Sequence, residues 1–319
     1  RLYSSIKDFI IGDDNFNLIS LSADEGQNVN YNPRFNFKDI NTVASYILNS
    51  KNRISFTLKH GEDNIDEERE FFGFENILSY DSTKIIENTT LANTSGILKW
   101  AFYLHPEWSI KFSLAKTKYG SNHNSKLINS SLTLNEYEQA VYEENTFTDD
   151  ILTVYQNIRS IKKHHFQVGY SHSIFNSDFS TQRILIESSE KTGIEQKASL
   201  KSIFFEDRWS ISKKLRLRLG IRNTYFSNNK SSYLEPRISA TMKVTPTFTF
   251  EGALGKNNQF VHQFISPLST RGTQGTWLIS QEKIPVVSSF SSQISSHWRE
   301  HNHEYSISLY QRSSEGHFN

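Results

Sequence analysis

Two stretches of this chain alternate apolar and polar residues almost without exception, and similar stretches recur along its whole length. They are RISFTLK at Arg53–Lys59 and KLRLRLGIR at Lys214–Arg222. In an extended strand, successive side chains point to opposite faces, so the leucines of the second stretch share one face and its arginines the other. The pattern predicts β-strands with one apolar and one polar face. Alternation alone is also compatible with a soluble β-sandwich.

The order of short and long connections distinguishes a soluble β-sandwich from a membrane β-barrel. Short connections are expected near residues 49–52, 105–107, 160–163, 212–214, 244–247 and 299–302. Long polar connections are expected near residues 12–32, 62–89, 119–150, 171–193, 227–234 and 256–285. Short and long take turns, as in outer-membrane barrels, where all long loops lie on one side of the membrane. The sequence therefore predicts an all-β fold, an antiparallel transmembrane β-barrel wall of about thirteen strands of roughly nine or more residues.

The composition agrees with this fold class. The 319 residues include no cysteine and 23 Phe, and no apolar run reaches the ~18 residues of a membrane helix. A formal net charge of +1 gives no indication of nucleic-acid binding. Aromatic residues toward the ends of apolar strand faces are typical of the girdles at membrane interfaces. The candidates are Trp100, Phe102, Trp108, Phe112, Phe248, Phe250 and Tyr305.

The termini indicate part of a longer protein. Residue 1 is not followed by the charged, apolar and small-residue regions of an export signal. Thirteen strands are an odd number, whereas bacterial single-chain barrels close with an even number. We therefore expect residues 1–319 to be one partial barrel, with its remaining strands elsewhere.

An ordered series of segments resembles the barrel of TonB-dependent outer-membrane receptors of the Bacteroidetes type. The segments are SSIKD at 4–8, PRFNFKDIN at 33–41, GED at 61–63, FEDRW at 205–209, LGIR at 219–222, LEPRIS at 234–239 and GKNNQFVH at 255–262. No single segment is specific, but their order along nearly the whole chain is. The resemblance implies a 22-stranded barrel with an N-terminal plug domain. The plug, the TonB-contacting segment and the last strands are expected outside these residues.

The resemblance also implies a function and a location. The expected protein is an importer in the outer membrane of a Gram-negative bacterium, surrounded by lipid, driven through TonB and holding no cofactor. Its expected cargo is a scarce small-molecule nutrient, foremost an iron–siderophore complex or another ferric chelate. A passive porin, an adhesion barrel, a glycan or peptide importer and a soluble carbohydrate-binding β-protein stay open as alternatives.

Basic residues are expected on the lumen face of three sequential strands. They are Lys197, Lys201, Arg216, Arg218, Arg222 and Arg237. Positive charge inside a narrow channel attracts anions such as a carboxylate-bearing chelate. Salt bridges to an acidic surface of the plug are the alternative, and this structural role is the one that we favour.

Ligand contacts are expected in the long connection 256–285. Its candidate residues are Gln259, His262, Gln263, Arg271 and Trp277. Together they offer hydrogen-bond donors, a cation and an aromatic surface, which suit a polar organic ligand. The resemblance favours His262 and Gln263 in particular, with loop packing as the alternative.

Metal binding and catalysis find little support. The histidines at 297, 301 and 303 lack a converging ligand set for zinc, and the acidic run at 62–70 lacks the spacing of a calcium loop. The segment GYSHS at 169–173 lacks the second glycine of a nucleophile elbow. We expect neither a metal site nor an enzyme.

Overall fold

The computed structural model describes residues 29–72, 82–130, 137–161, 163–185, 188–265 and 275–316. Within these ranges the chain forms fourteen β-strands. The first seven are β1 (Val29–Asn49), β2 (Asn52–Phe72), β3 (Ser82–His105), β4 (Trp108–Ser130), β5 (Tyr137–Ile161), β6 (His164–Ile184) and β7 (Ser189–Trp209). The others are β8 (Leu215–Phe226), β9 (Ser231–Lys243), β10 (Phe248–Gln259), β11 (Val261–Ile265), β12 (Gly275–Ile279), β13 (Val287–Glu300) and β14 (His303–Glu315).

Twelve of these strands form one antiparallel sheet in sequence order, from β1 through β10 to β13 and β14. Strands β11 and β12 form a separate hairpin inserted between β10 and β13. In the described residues the sheet is open, since β1 and β14 each pair with one neighbour only. The expected all-β antiparallel architecture is confirmed. No helix in the described part of the chain is long and apolar enough to cross a membrane.

The short connections lie where the sequence predicts them, but many of the residues expected in long connections belong to strands. Strands β2 to β7 have 21 to 25 residues each, about twice the length that a membrane crossing needs. Residues 62–72 and 82–89, for example, are paired β-structure. The prediction of loops there was wrong because both faces of these extensions are polar, so no apolar row marks them as strands. Of the connection expected at 12–32, residues 12–28 lie outside the described residues, and residues 29–32 belong to β1.

The two faces of the sheet differ in what covers them. One face, here called the bare face, exposes large apolar side chains over its whole width: Phe56, Leu114, Leu152, Ile203, Leu219, Leu254, Ile294 and Leu309. The opposite face, here called the covered face, carries the β11–β12 hairpin against β5, β6 and β7. A continuous apolar surface of this size needs an apolar environment. In a barrel wall, lipid provides it.

The apolar band of the bare face has a visible upper limit on β4 and β5. Its last residues there are Leu114 and Leu152, which lie directly opposite each other. The next outward pair is Lys116 and Asp150, joined by an ion pair of 3.2 Å. Near the short turns, Trp100 stacks on Phe112 with ring centroids 5.2 Å apart, as expected for an interfacial girdle.

Candidate ligand-binding site on the covered face

The β11–β12 hairpin is attached to the covered face by side chains of the long strands. Gln196 on β7 accepts a hydrogen bond of 2.9 Å from the backbone N–H of Ile279 and donates one of 3.4 Å to its carbonyl. Ser177 on β6 donates to the carbonyl of Trp277. Phe175, Ala198, Phe226, Phe260 and Ile279 form the buried cluster beneath the hairpin. The hairpin is thus a fixed part of the covered face.

Trp277 lies at the centre of an aromatic group. Its ring stacks on Phe147 with centroids 5.4 Å apart and meets the edge of Tyr119 at 5.8 Å. Phe147 in turn stacks on Phe175 at 5.9 Å. The indole N–H of Trp277 is buried, and no described residue accepts a hydrogen bond from it. An aromatic surface of this kind suits a flat, conjugated ligand.

Of the candidates in the segment 256–285, His262 is buried and forms a structural hydrogen bond. It is 6% exposed, and its Nε2 lies 2.9 Å from the hydroxyl of Ser280. Because that hydroxyl donates to the carbonyl of Pro285, Nε2–H of His262 is the donor in the first bond. His262 therefore connects the hairpin to the chain segment that leads into β13, and its buried ring is poorly placed to meet a ligand.

Gln263 and Gln259 have different surroundings. Gln263 is exposed and lies directly opposite Trp277 in the hairpin, so the two share one side of it. Its side chain lies over Gly275, where an added Cβ would be 2.2 Å from the Cγ of Gln263. The side chain of Gln259 turns back and donates to the carbonyl of Val261 at 2.9 Å. Arg271 lies outside the described residues.

Four of the six basic candidates lie on the covered face, and three of them have neutralising or hydrogen-bonding partners there. Arg218 forms a 2.7 Å ion pair with Glu206, which also binds Arg208 at 2.8 Å. Arg222 donates to Ser202 at 3.0 Å, and Arg237 donates to Asn257 at 2.8 Å. Much of the positive charge is therefore balanced within the wall itself. For Arg216, the described residues provide no ion-pair partner.

Lys197 and Lys201 lie on the bare face, and the prediction that they face the lumen needs correction. Lys201 pairs across the sheet with His172 and Tyr225, on the face opposite to Ser202. Lys197 forms an ion pair of 2.7 Å with Glu195. The small or neutral residues between Lys197 and Lys201 face the hairpin. Both lysines lie above the apolar band, where the polarity of the side chains does not distinguish the two faces of the sheet.

Further polar groups line the covered face beyond the apolar band. Glu143 on β5 lies directly opposite His123 on β4, about nine residues past Leu152 and therefore outside the membrane-spanning segment. Burial raises the pKa of Glu143, and the nearby Arg183 partly opposes this. Burial also lowers the pKa of His123 against the opposing effect of Glu87. Both shifts favour the neutral forms.

The sequence did not identify the wall residues that receive the hairpin. Four different strands carry them, and no local pattern links them to residues 277–279: Tyr119 on β4, Phe147 on β5, Ser177 on β6 and Gln196 on β7. Among the described residues no group of three or more metal-ligating side chains converges.

A comparison with protein families assigns the fold to a known group. The family model described as TonB dependent receptor-like, beta-barrel matches residues 9–260, more than three quarters of the chain. The chain belongs to the TonB-dependent receptor family. Receptors of this family are outer-membrane transporters of Gram-negative bacteria, and the resemblance noted in the sequence is confirmed.

Solved structures support the same fold. The RagAB peptide importer in its "closed-closed" state matches with a TM-score of 0.55 at 9% identity, over 90% of this chain and 42% of that one. The ferric yersiniabactin uptake receptor FyuA from Yersinia pestis matches with a TM-score of 0.51 at 7% identity, over 90% of this chain and 54% of that one. The chain thus spans about half the length of these receptors. No curated protein matches the sequence.

Proposed function

We propose that this TonB-dependent receptor chain forms part of the wall of an energy-dependent importer, and that its cargo is a scarce nutrient of the ferric-chelate class. The proposal has three supports. The family consists of transporters, the bare face is apolar as lipid contact requires, and the covered face presents a polar and aromatic surface to the lumen.

The observation that carries the site proposal is the aromatic group around Trp277. A chelate with aromatic or conjugated arms can stack on Trp277 and Tyr119. Gln263, exposed on the same side of the hairpin, adds a flexible amide that can donate or accept. We therefore place ligand contact at Gln263 and Trp277, with His262 in a positioning role.

The arginines have a separate part in the proposal. Glu206 lies 2.7 Å from Arg218, and Glu235 lies 4.0 Å from both Arg222 and Arg237. The covered face is therefore a mixed-charge surface. Such a surface suits contact with polar groups of a plug, or weak guidance of an anionic cargo after it leaves the hairpin. The proposed coupling to TonB proceeds through the plug.

Uptake of a labelled ferric chelate by cells that express the receptor tests this proposal. We expect uptake to stop when a protonophore removes the proton-motive force, whereas persistent uptake would indicate a passive channel. Gln263→Ala combined with Trp277→Ala should weaken chelate binding at least tenfold, the scale of a hot-spot contact. Gln293→Ala, an exposed amide on the covered face of β13, is the matched control and should leave affinity unchanged. Equal affinity in all variants would remove the site and leave the transporter class intact.

A further inference from the structure

A cavity of about 410 Å³ lies on the covered face, at the ends of β2, β3 and β4 that carry the short turns. Arg53 on β2, Lys99 on β3 and Lys111 on β4 line this cavity together with Ala101. Ala101 lies directly opposite both Arg53 and Lys111 in the adjacent strands, and Lys99 precedes it on the same face of β3. Three cations thus surround one small side chain. The cavity is called the basic pocket below.

The positive charge of the basic pocket has no counter-charge within the described residues. Arg53 Nε donates to the hydroxyl of Ser45 at 3.0 Å, and Lys111 Nζ lies 5.6 Å from the centre of the Tyr155 ring. None of the three cations forms an ion pair with a described residue, and no carboxylate lines the cavity. On β8 and β9, by contrast, glutamates lie beside the arginines of the same face. A concave surface that carries charge of one sign attracts ions of the other, so the basic pocket favours an anion.

The spacing of the cations indicates the kind of anion. Lys99 is a diagonal neighbour of Arg53 and of Lys111, which places the Cβ atoms about 7 Å apart, and Arg53 and Lys111 are two strand spacings apart, about 10 Å. Cations held apart in this way suit several carboxylates on one molecule better than one compact anion such as phosphate. The rest of the lining offers hydroxyl groups, which can donate to carboxylate oxygens. They belong to Ser55, Tyr103, Ser113, Thr153 and Tyr155.

We propose that the basic pocket binds a small organic polycarboxylate, a molecule with two or three carboxylate groups. The guanidinium of Arg53 can bind one carboxylate through two parallel hydrogen bonds, while Lys99 and Lys111 bind the others. The volume of the cavity is in the range of small-molecule sites, roughly 300–1,000 Å³. On β5, Tyr155 lies eight residues from Phe147, ~26 Å along the strand, so this site is separate from the aromatic group around Trp277. The proposal requires neither iron nor a particular cargo.

Isothermal titration calorimetry of the detergent-purified full-length receptor with metal-free tricarballylate, a tricarboxylate, tests the proposal. We expect saturable binding, and binding at least tenfold weaker for butyrate, which has one carboxylate, and for inorganic phosphate. Lys99→Gln should weaken tricarballylate binding about tenfold, because a hydrogen bond between charged groups is lost. Lys243→Gln, which changes an exposed lysine at the short-turn end of β9 on the same face, is the matched control and should leave the affinity unchanged. No binding of tricarballylate, or an equal loss in both variants, would overturn the proposal.

Ala101→Leu tests the place of binding without changing any charge. The larger side chain would enter the cavity between Arg53 and Lys111, so the affinity for tricarballylate should fall at least tenfold. Ala253→Leu, at an exposed alanine on the covered face of β10, is the control and should have no effect. Heat-modifiable gel mobility verifies that each variant is folded. Normal binding by folded Ala101→Leu would overturn the proposal. A receptor that does not bind tricarballylate but is destabilised by Lys99→Gln would also overturn it, because an acidic protein segment would then occupy the pocket.

Discussion

Placing an arginine at increasing depth on the bare face of β8 tests the lipid-facing surface quantitatively. The bare-face row of this strand begins with Leu215 at the short-turn end and continues through Leu219. With a rise of ~3.3 Å per residue and a strand tilt of ~40°, Leu219 lies about 10 Å deeper than Leu215. In an apolar band ~25 Å tall, Leu219 is then close to the midplane.

Because Leu215 and Leu219 lie at different depths, an arginine at each position should destabilise the barrel by a different amount. Leu219→Arg should destabilise the folded barrel by about 2–4 kcal/mol, and Leu215→Arg by about 0–1 kcal/mol, because the cost of a cation falls toward the interface. Arg218→Leu on the covered face removes one ion pair from Glu206, but Glu206 keeps Arg208 at 2.8 Å. Since the Arg218 side chain is 55% exposed, this change should cost at most about 1 kcal/mol.

Equilibrium unfolding in urea, with the protein folded into lipid vesicles, measures all three values. The order of the costs matters more than their absolute size. If Leu215→Arg and Leu219→Arg cost the same, or if Arg218→Leu costs more than Leu219→Arg, the assignment of the two faces would be wrong.

Three further predictions concern packing, titration and the hairpin. Gly169→Ala should destabilise the fold by about 1–3 kcal/mol, because the added Cβ would lie 2.5 Å from the Cζ of Phe204. The same change at Gly252, where nothing lies within 4 Å of the added Cβ, should be neutral in the same unfolding assay. The pKa of Glu143 is raised, so its charge opposes folding above the ordinary value of 4.5, and Glu143→Gln should increase stability at neutral pH but not at pH 4. Gln196→Ala removes the acceptor of the buried Ile279 N–H, and hydrogen exchange at that amide should accelerate at least tenfold, whereas unchanged exchange would refute the attachment.

The alternation of side chains was sufficient to predict the strands that cross the membrane. On β8, the row from Leu215 to Ile221 and the opposing arginines specify both the strand and its two faces, and the structure has them on opposite sides. The signal disappears above the apolar band. There, β7 alternates charged residues with small ones, so the sequence could not show that Lys197 and Lys201 face outward.

The candidate site was only partly accessible from the sequence. Residue types in the segment 256–285 predicted ligand contacts at Gln259, His262, Gln263, Arg271 and Trp277, and the family resemblance favoured His262 and Gln263; these contacts stay predictions. The return of that segment onto the wall was not predictable, since it depends on Gln196 and Ser177, which lie 83 and 100 residues away in the chain. For the same reason the burial of His262 could be seen only in the folded structure.

The side of the membrane on which the long strands emerge is tested by labelling single cysteines in intact cells, in a chain that has no native cysteine. Asp178 near the far end of β6 and Ser50 in the β1–β2 turn are both exposed. For a transmembrane wall with its long hairpins outside, a membrane-impermeant maleimide should label Asp178→Cys in intact cells and label Ser50→Cys only after the outer membrane is opened. Equal labelling of both cysteines in intact cells would contradict the transmembrane barrel.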